Sequence, residues 1–428
     1  MNISTVKRYI LSTLVVASLG QAQTLDAFLK ASANGNVDMA LSRNAEARAA
    51  VDSAQTWSGL LPTLSVNAGY VRNQYAALVT LPSGVGTSST VTITPNDQLD
   101  ATAKVELPLI DASKWLRVAS ADSAAAAARA RTAQTRDQVD RQVVTAFYAV
   151  AGADAVFESA QRSLKVAQAQ LEQTQSRFKA GVANELELAR AEAEVQRCRQ
   201  VADDAEALAL NNRTSLQVLT GLEVKKLEVP PVDDMRATPE LASLTPGLEK
   251  LPELEAAHDD VKTQQKNHAA AGLVLVPTVS AQFTQRFTNA TGFQGQNALW
   301  NAGVTLNWRL DATGLQAIRG AALVEQAAVL NEQKARQQVA QRLEQDWRRV
   351  NTSIAKVTSA QAQLKAAERG AALAHQRYEA GVASQLDAIS AERDLFAAEV
   401  NSISAGFELA AARASLKLSA GQTLTGAP

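Results

Sequence analysis

Four short stretches of the chain alternate between apolar and polar side chains. Leu64, Val66, Ala68 and Tyr70 are separated by Ser65, Asn67 and Gly69. Ala101, Ala103, Val105, Leu107 and Leu109 are interleaved with Thr102, Lys104 and Glu106. Val279, Ala281, Phe283 and Phe287 alternate with Ser280, Gln282, Thr284 and Arg286; Ala302, Val304, Leu306 and Trp308 alternate with Gly303, Thr305 and Asn307. A period of two places each apolar set on one face of a strand. The pattern predicts strands at about 63–73, 99–110, 278–288 and 300–310, each close to the 9–11 residues of a tilted membrane strand. The segments between paired strands read as loops: a long one, Gln74 to Gln98, rich in Gly, Ser and Thr, and a shorter one, Asn289 to Ala298.

The rest of the chain is patterned for helix. No proline occurs between Pro108 and Pro230 or between Pro277 and Pro428. Proline breaks helices, so both windows permit very long ones. Ala, Gln, Glu, Arg and Leu fill them, as in Ser123-Ala124-Ala125-Ala126-Ala127-Ala128. Gly181 marks a reversal, because glycine tolerates the left-handed conformation at a helix end. The reading is a helix from Ala112 to Phe178, a turn, and a returning helix over 185–220. Further helices are expected over 25–60, 252–275 and 384–420.

The pattern occurs twice. Arg177-Phe178-Lys179-Ala180-Gly181-Val182-Ala183 returns 200 residues later as Arg377-Tyr378-Glu379-Ala380-Gly381-Val382-Ala383. Over 159–195, 14 of 37 positions are identical at that offset. Alanine bias alone gives roughly a quarter of that, so the chain is an internal duplication. The expected organisation is a first repeat over 23–230 with its tip near 181. A connector (231–251), a second repeat over 252–420 with its tip near 381, and a tail (421–428) follow.

Composition narrows the class. Residues 1–22 have a basic start at Lys7 and Arg8, an apolar run from Tyr9 to Leu19, and small residues at Gly20 and Ala22. This reads as a cleavable secretory signal. No later stretch reads as a membrane-spanning helix, so a membrane form would be a β-barrel. Among 428 residues, 42 Lys+Arg face 43 Asp+Glu, which argues against a nucleic-acid binder. One cysteine, Cys198, excludes a disulfide framework, and three histidines form no metal-ligand spacing. Cys198 reads as an inert packing residue. No nucleophile motif, phosphate loop or cofactor-binding signature appears, so no enzyme, metal or cofactor is expected. Aromatics are only 4% but gather near the strands, at Tyr70, Phe283, Phe287, Trp300 and Trp308, with Tyr75 and Phe293 in the loops. An aromatic girdle predicts this.

Geometry sets the assembly. A helix from 112 to 178 is roughly 100 Å long at 1.5 Å per residue. Two shorter helices stacked end to end match it: 185–220 with 252–275, and 384–420 with 25–60. Four strands cannot close a membrane barrel, since the smallest single-chain barrels use eight. Three chains supply twelve strands; two would also reach eight. The trimer is the preferred reading.

These residues resemble the TolC-like outer membrane efflux proteins along essentially the whole mature length. The resemblance rests on Gly59-Leu60-Leu61-Pro62-Thr63-Leu64-Ser65 before the first strand and on its counterpart from Leu251 to Ser280. It rests also on an Arg-Phe/Tyr-x-x-Gly tip in each hairpin. It implies a mainly α protein with a membrane β-barrel: a homotrimer with twelve strands in outer membrane lipid and a tunnel of long helical hairpins in the periplasm. It implies a passive exit duct of a tripartite efflux or type I secretion system. Its partners would be a periplasmic adaptor and an inner-membrane pump of RND, ABC or MFS type. The adaptor-docking residues it implies are Gly181, Val182, Ala183, Gly381, Val382 and Ala383; the pore constriction it implies is Glu187 and Asp387.

Departures from the family pattern are visible. The glycine-rich turn after the second strand of each half is Ile110-Asp111-Ala112-Ser113 and Leu310-Asp311-Ala312-Thr313, where the aspartate also serves to cap the next helix. A second pore acid found in some members is Ser390, and a latching arginine is Ala383. For the glycines the plain alternative is a turn in any hairpin; for Glu187 and Asp387 it is a solvated helix face. A periplasmic adaptor or coiled-coil scaffold is the competing function, but it would carry one hairpin flanked by β domains. A self-standing porin would need far more strand.

Overall fold

The computed structural model describes residues 23–82, 88–228, 235–309 and 312–424. The expected signal over 1–22, the end of the first repeat and start of the connector over 229–234, the pair Leu310-Asp311 and the tail over 425–428 lie outside these residues. In chain order the elements are α1 (Leu25–Gly35), α2 (Val37–Ser58), β1 (Thr63–Arg72), β2 (Ala77–Pro82), β3 (Ser88–Thr94) and β4 (Asp97–Ile110). Then come α3 (Ala112–Lys179), α4 (Glu185–Thr220), α5 (Leu241–Leu244), α6 (Pro252–Gly272), β5 (Thr278–Thr288), β6 (Ala298–Asn307), α7 (Ala312–Glu379) and α8 (Gln385–Ser419). The chain is mainly helical with a small antiparallel sheet, and α3 and α7 have the same length, 68 residues.

Strands and helices share one lateral order. The sheet runs β1-β4-β5-β6, antiparallel throughout. In the helical layer α3 packs on α2 and α4 on one side and on α6 and α8 on the other, and α7 packs on α6 and α8. Each helix therefore continues the strand above it. The outer strands β1 and β6 each pair on one side only; besides the neighbours just given, α2 and α4 meet α1, and α7 meets the segment over 235–250.

The stacking partners differ from the expectation. The end of α4 meets the start of α2, and the end of α8 meets the start of α6. At the first junction Asn36 Oδ1 accepts from Asp38 N (2.8 Å) and Met39 N (3.2 Å), capping α2. Its Nδ2 donates to Leu219 O (3.0 Å), a terminal carbonyl of α4. One side chain thus satisfies orphan groups of both helices. The expected helix over 25–60 is broken here. Gly35 is required for the approach, because a Cβ on it would lie 2.6 Å from the Thr220 carbonyl oxygen.

At the second junction Gly247, in the 3₁₀ turn before α6, is even closer: a Cβ would lie 2.2 Å from Ala420 O. Arg141 of α3 reaches across and donates to Ser415 O (3.3 Å) and Ser419 Oγ (2.9 Å) at the end of α8. A cation there complements the negative end of the helix dipole. Nearby on α3, burial pushes the Asp140 carboxyl up to about 6, against the opposing pull of Arg136.

The core is a series of thin patches. Phe28, Val143, Val144, Phe147 and Leu216 join α1, α3 and α4, with the Phe28 and Phe147 rings 5.9 Å apart. Elsewhere alanines set the spacing, as where Ala160, Ala202 and Ala205 pack α3 on α4. One correction concerns α3. It holds an 18-residue window apolar enough to cross a membrane, although no such stretch was expected. 44% of that window is buried, and α3 as a whole packs on α1, α2, α4, α6 and α8.

The segment read as a loop over Gln74 to Gln98 contains a hairpin. β2 and β3 form a separate two-stranded sheet, and β4 begins already at Asp97. Ser88-Ser89-Thr90-Val91-Thr92-Ile93-Thr94 is rich in β-branched residues, which suit an extended backbone. Two smaller differences follow. β6 spans 298–307, so Trp308 lies just beyond it, and α6 ends at Gly272 before a 3₁₀ turn over 273–275.

Candidate functional site

Two regions are candidates: the sheet at one end and the hairpin tips at the other. In the sheet, cross-strand partners share a face. One face carries Leu64–Val105–Phe283–Ala302 as a row, then Val66–Ala103–Gln285–Trp300 and Ala68–Ala101–Phe287–Ala298. Rows from Val279–Leu306 to Tyr70–Leu99 cover about ten residues, or about 25 Å at a tilt near 40°. That is the height of a bilayer's apolar band. Gln285 is the one polar member. The Phe283 and Trp300 rings stack at 6.3 Å, and Trp300 is 69% exposed.

The opposite face is polar. It holds Thr102, Lys104, Glu106, Asp100 and Arg286, paired by charge: Arg286 to Asp100 at 2.6 Å and Lys104 to Glu106 at 2.8 Å. A sheet apolar on one side and ionic on the other, with both edges open, is a segment of a wall between lipid and water. Trp57 and Trp115, both exposed, sit where helices meet strands. With Trp308 they mark the inner boundary of the apolar band. Both lie on helical residues, so no strand alternation points to them in the sequence.

At the tips the two hairpins are built alike. In α3–α4, Gly181 takes φ +72°, and Arg177 O accepts from Val182 N (2.9 Å) and Ala183 N (3.3 Å). In α7–α8, Gly381 takes φ +73°, and Arg377 O accepts from Val382 N (2.9 Å) and Ala383 N (3.2 Å). The left-handed glycine lets the chain turn back and satisfies the last carbonyls. Val182 and Val382 project, 67% and 65% exposed, beside exposed Leu186 and Leu386.

The two acids begin the returning helices. Asn184 caps α4 by accepting from Glu187 N (2.9 Å), and the Glu187 side chain is half-buried. Ser384 and Asp387 form a reciprocal capping box: Ser384 Oγ accepts from Asp387 N, and Asp387 Oδ2 accepts from Ser384 N (2.9 Å) and Oγ (2.8 Å). These bonds from Ser384 hold the exposed Asp387 carboxyl below its ordinary value. Asp387 therefore has a structural role in its own turn. No hydrogen bond joins it to Glu187 among the described residues.

Between the tips and the junctions a seam joins the hairpins. The Arg177 guanidinium lies 5.0 Å from the buried Tyr378 ring. Buried Gln385 Nε2 donates to Thr174 Oγ1 at 3.4 Å. Higher up, Glu194 of α4 accepts from Arg393 of α8 (Nε, 3.0 Å) and from Arg197 of its own helix (Nε, 3.0 Å). Burial pushes the Glu194 carboxyl up, but the two guanidinium groups outweigh it and bring it to about 2. Farther along, Ser159 donates to Glu399, which also faces Arg162. Cys198 is buried beside Glu194, where burial pushes its thiol up. The sequence held one signal for this seam. At the 200-residue offset Arg393 faces Ala193 and Tyr378 faces Phe178, so these side chains are specific to the second repeat.

Comparison with known proteins fits this architecture. The sequence model of the family described as outer membrane efflux protein matches residues 31–222 and 247–422, one stretch in each repeat. No curated protein sequence matches the chain. Among solved structures, the fold is similar to the CmeC outer membrane channel of Campylobacter jejuni (17% identity, TM-score 0.77, over 93% of this chain and 85% of that one). It is similar also to the outer membrane protein VceC from Vibrio cholerae (16%, 0.75, 93% and 96%). A third is the open state of the MtrE outer membrane channel of Neisseria gonorrhoeae (19%, 0.72, 93% and 89%).

Proposed function

Since the chain belongs to the outer membrane efflux protein family, we propose that it is the exit duct of a tripartite efflux or type I secretion system, closed as a homotrimer. The observation that carries this reading is the shared lateral order of strands and helices with both flanks open. β6 of one copy would pair with β1 of the next, and α7 would pack on the neighbouring α2 and α4. Exposed Leu315, Leu323 and Leu330 on α7, and Val37, Leu41 and Val51 on α2, are apolar surface that such packing would cover. Three four-stranded sheets make twelve strands, with the apolar face toward lipid and the Lys104–Glu106 and Asp100–Arg286 pairs toward the lumen.

In this reading residues 1–22 are an export signal, 23–230 and 252–420 the two repeats, 231–251 a connector and 421–428 a tail. Val182 and Val382, raised on their glycine turns, meet a periplasmic adaptor that links the duct to an inner-membrane pump. Glu187 and Asp387 narrow the periplasmic end. The protein moves its cargo passively, and the pump selects that cargo. The test is the native mass and cell fraction of the detergent-extracted protein. A trimer from the outer membrane fraction is expected. A monomer released with soluble periplasm would overturn the reading in favour of an adaptor or scaffold.

A further inference from the structure

The hairpin β2–β3 projects beyond the sheet at the end opposite the helices. Its base is fixed where Asn73 N donates to Asn96 O (2.7 Å) and Asn73 Nδ2 to Pro95 O (2.9 Å). Above that base its support among the described residues is slight and one-sided. β2 pairs only with β3, and β3 touches the 3₁₀ turn over 292–294. A lone two-stranded hairpin is marginally stable in water.

Its composition is unusual for an exposed segment. From Asn73 to Asn96 there is no charged residue. At the chain's 20% of charged residues, these 24 positions would carry about five. The facing segment from Phe287 to Trp308 has none either. Charges stand directly below, in the Arg72–Asp97 pair (2.8 Å). Exposed edge strands are ordinarily protected from association by charge. Here the outer edges of β2 and β3 carry none, and Leu78, Thr80, Thr90 and Thr92 are open.

We infer that each β2–β3 hairpin is an interface for the same hairpin of the two other copies, joined as a ring over the outer mouth; this rests on the trimeric reading above. The free edge of β2 in one copy pairs with the free edge of β3 in the next, a heterologous contact that a three-fold axis closes. Reach permits it. Six extended residues span about 20 Å, whereas a twelve-stranded barrel with 4.8 Å strand spacing and a tilt near 40° has a radius of roughly 12 Å. The lack of charge lets three copies converge without repulsion. It also disfavours the phosphate groups of surface lipid as the occupant, since no basic side chain is present to hold them. The ring would narrow the exit.

The test uses the full-length protein with Cys198→Ala and a single Thr92→Cys, treated with a short bismaleimide in outer membrane vesicles. Covalent dimers on a denaturing gel are expected, with loss of that band when Thr80→Lys and Thr90→Lys are added. The lysine variant should also show higher single-channel conductance in planar bilayers. Absence of the dimer band in protein whose native mass is trimeric, with conductance unchanged by the lysines, overturns the ring alone. Cross-linking to lipid or to another protein does the same. A native mass that is not trimeric overturns the duct reading and the ring with it.

Discussion

Removing the Glu194–Arg393 pair should unlock one hairpin from the other without disturbing either. The carboxyl of Glu194 is ionised down to about pH 2, against an ordinary value of 4.5. That interval corresponds to about 3 kcal/mol favouring the charged form. Two guanidinium groups share it, and Arg393 is about half exposed, so its link to Glu194 is worth about 1–1.5 kcal/mol. Because folding lowers this carboxyl's pKa, the contribution is complete above about pH 4.5 and fades as pH falls toward 2. The assay is a double-mutant cycle: Glu194→Gln, Arg393→Gln and both, with denaturant unfolding followed by circular dichroism. The coupling energy should be about 1 kcal/mol at pH 7 and roughly half that at pH 3. Conductance of both single variants should exceed that of the parent. A coupling near zero at pH 7, or one that does not weaken in acid, would refute the argument.

Other substitutions probe other parts. Val182→Glu or Val382→Glu should abolish export while leaving the helical spectrum and melting temperature unchanged; normal efflux in both would remove the tips from docking. Asp387→Ala should lower the melting temperature through the lost capping box and raise leak conductance; an unchanged current would leave Asp387 a helix cap only. Gly247→Ala should destabilise by about 1–3 kcal/mol because its Cβ meets Ala420 O, whereas Gly272→Ala, with open space around it, should be neutral or stabilising in the same melt. Asp140→Asn should stabilise the protein by about 2 kcal/mol at pH 7.5. The native carboxyl prefers its proton up to about 6, so its penalty appears as pH rises from about 4 to 6, and at pH 4 the variant and parent should melt together.

The long hairpins were legible because nothing interrupts them. Proline-free, alanine-rich windows and left-handed glycines fix α3, α4 and α8 to within a residue or two. The alternation of β1, β4, β5 and β6 was legible because one face is apolar and the other polar and charged. Stacking was not. α2 and α6 differ by one residue in length, so length could not say which continues α4. The answer lay in Gly35-Asn36, a break and cap inside a run that otherwise reads as helix. The β2–β3 hairpin was hidden by Gly and Ser around it, although Thr-Val-Thr-Ile-Thr prefers extended backbone. The Glu194–Arg393 pair was invisible for a different reason. A charged residue on a helix looks solvated until the neighbouring helix covers it, and no local pattern announces that neighbour. The tip acids were found by position, and the sequence did not reveal that one of them is held by its own cap.

The junctions at Asn36 and Gly247 make the chain a splinted joint. Two rods, α3 and α7, run unbroken past the level where their partners are cut. Push along the axis and the continuous rods bear the load; bend across it and the cuts are the only places where neighbouring segments slide without stretching a covalent backbone. Flexure imposed at the tips should therefore collect at midheight and leave the strands still. Amides of 219–222 and 419–422 should exchange with solvent faster than those of α3 at the same height, and uniform protection across that level would mean the joint is as rigid as the rods beside it.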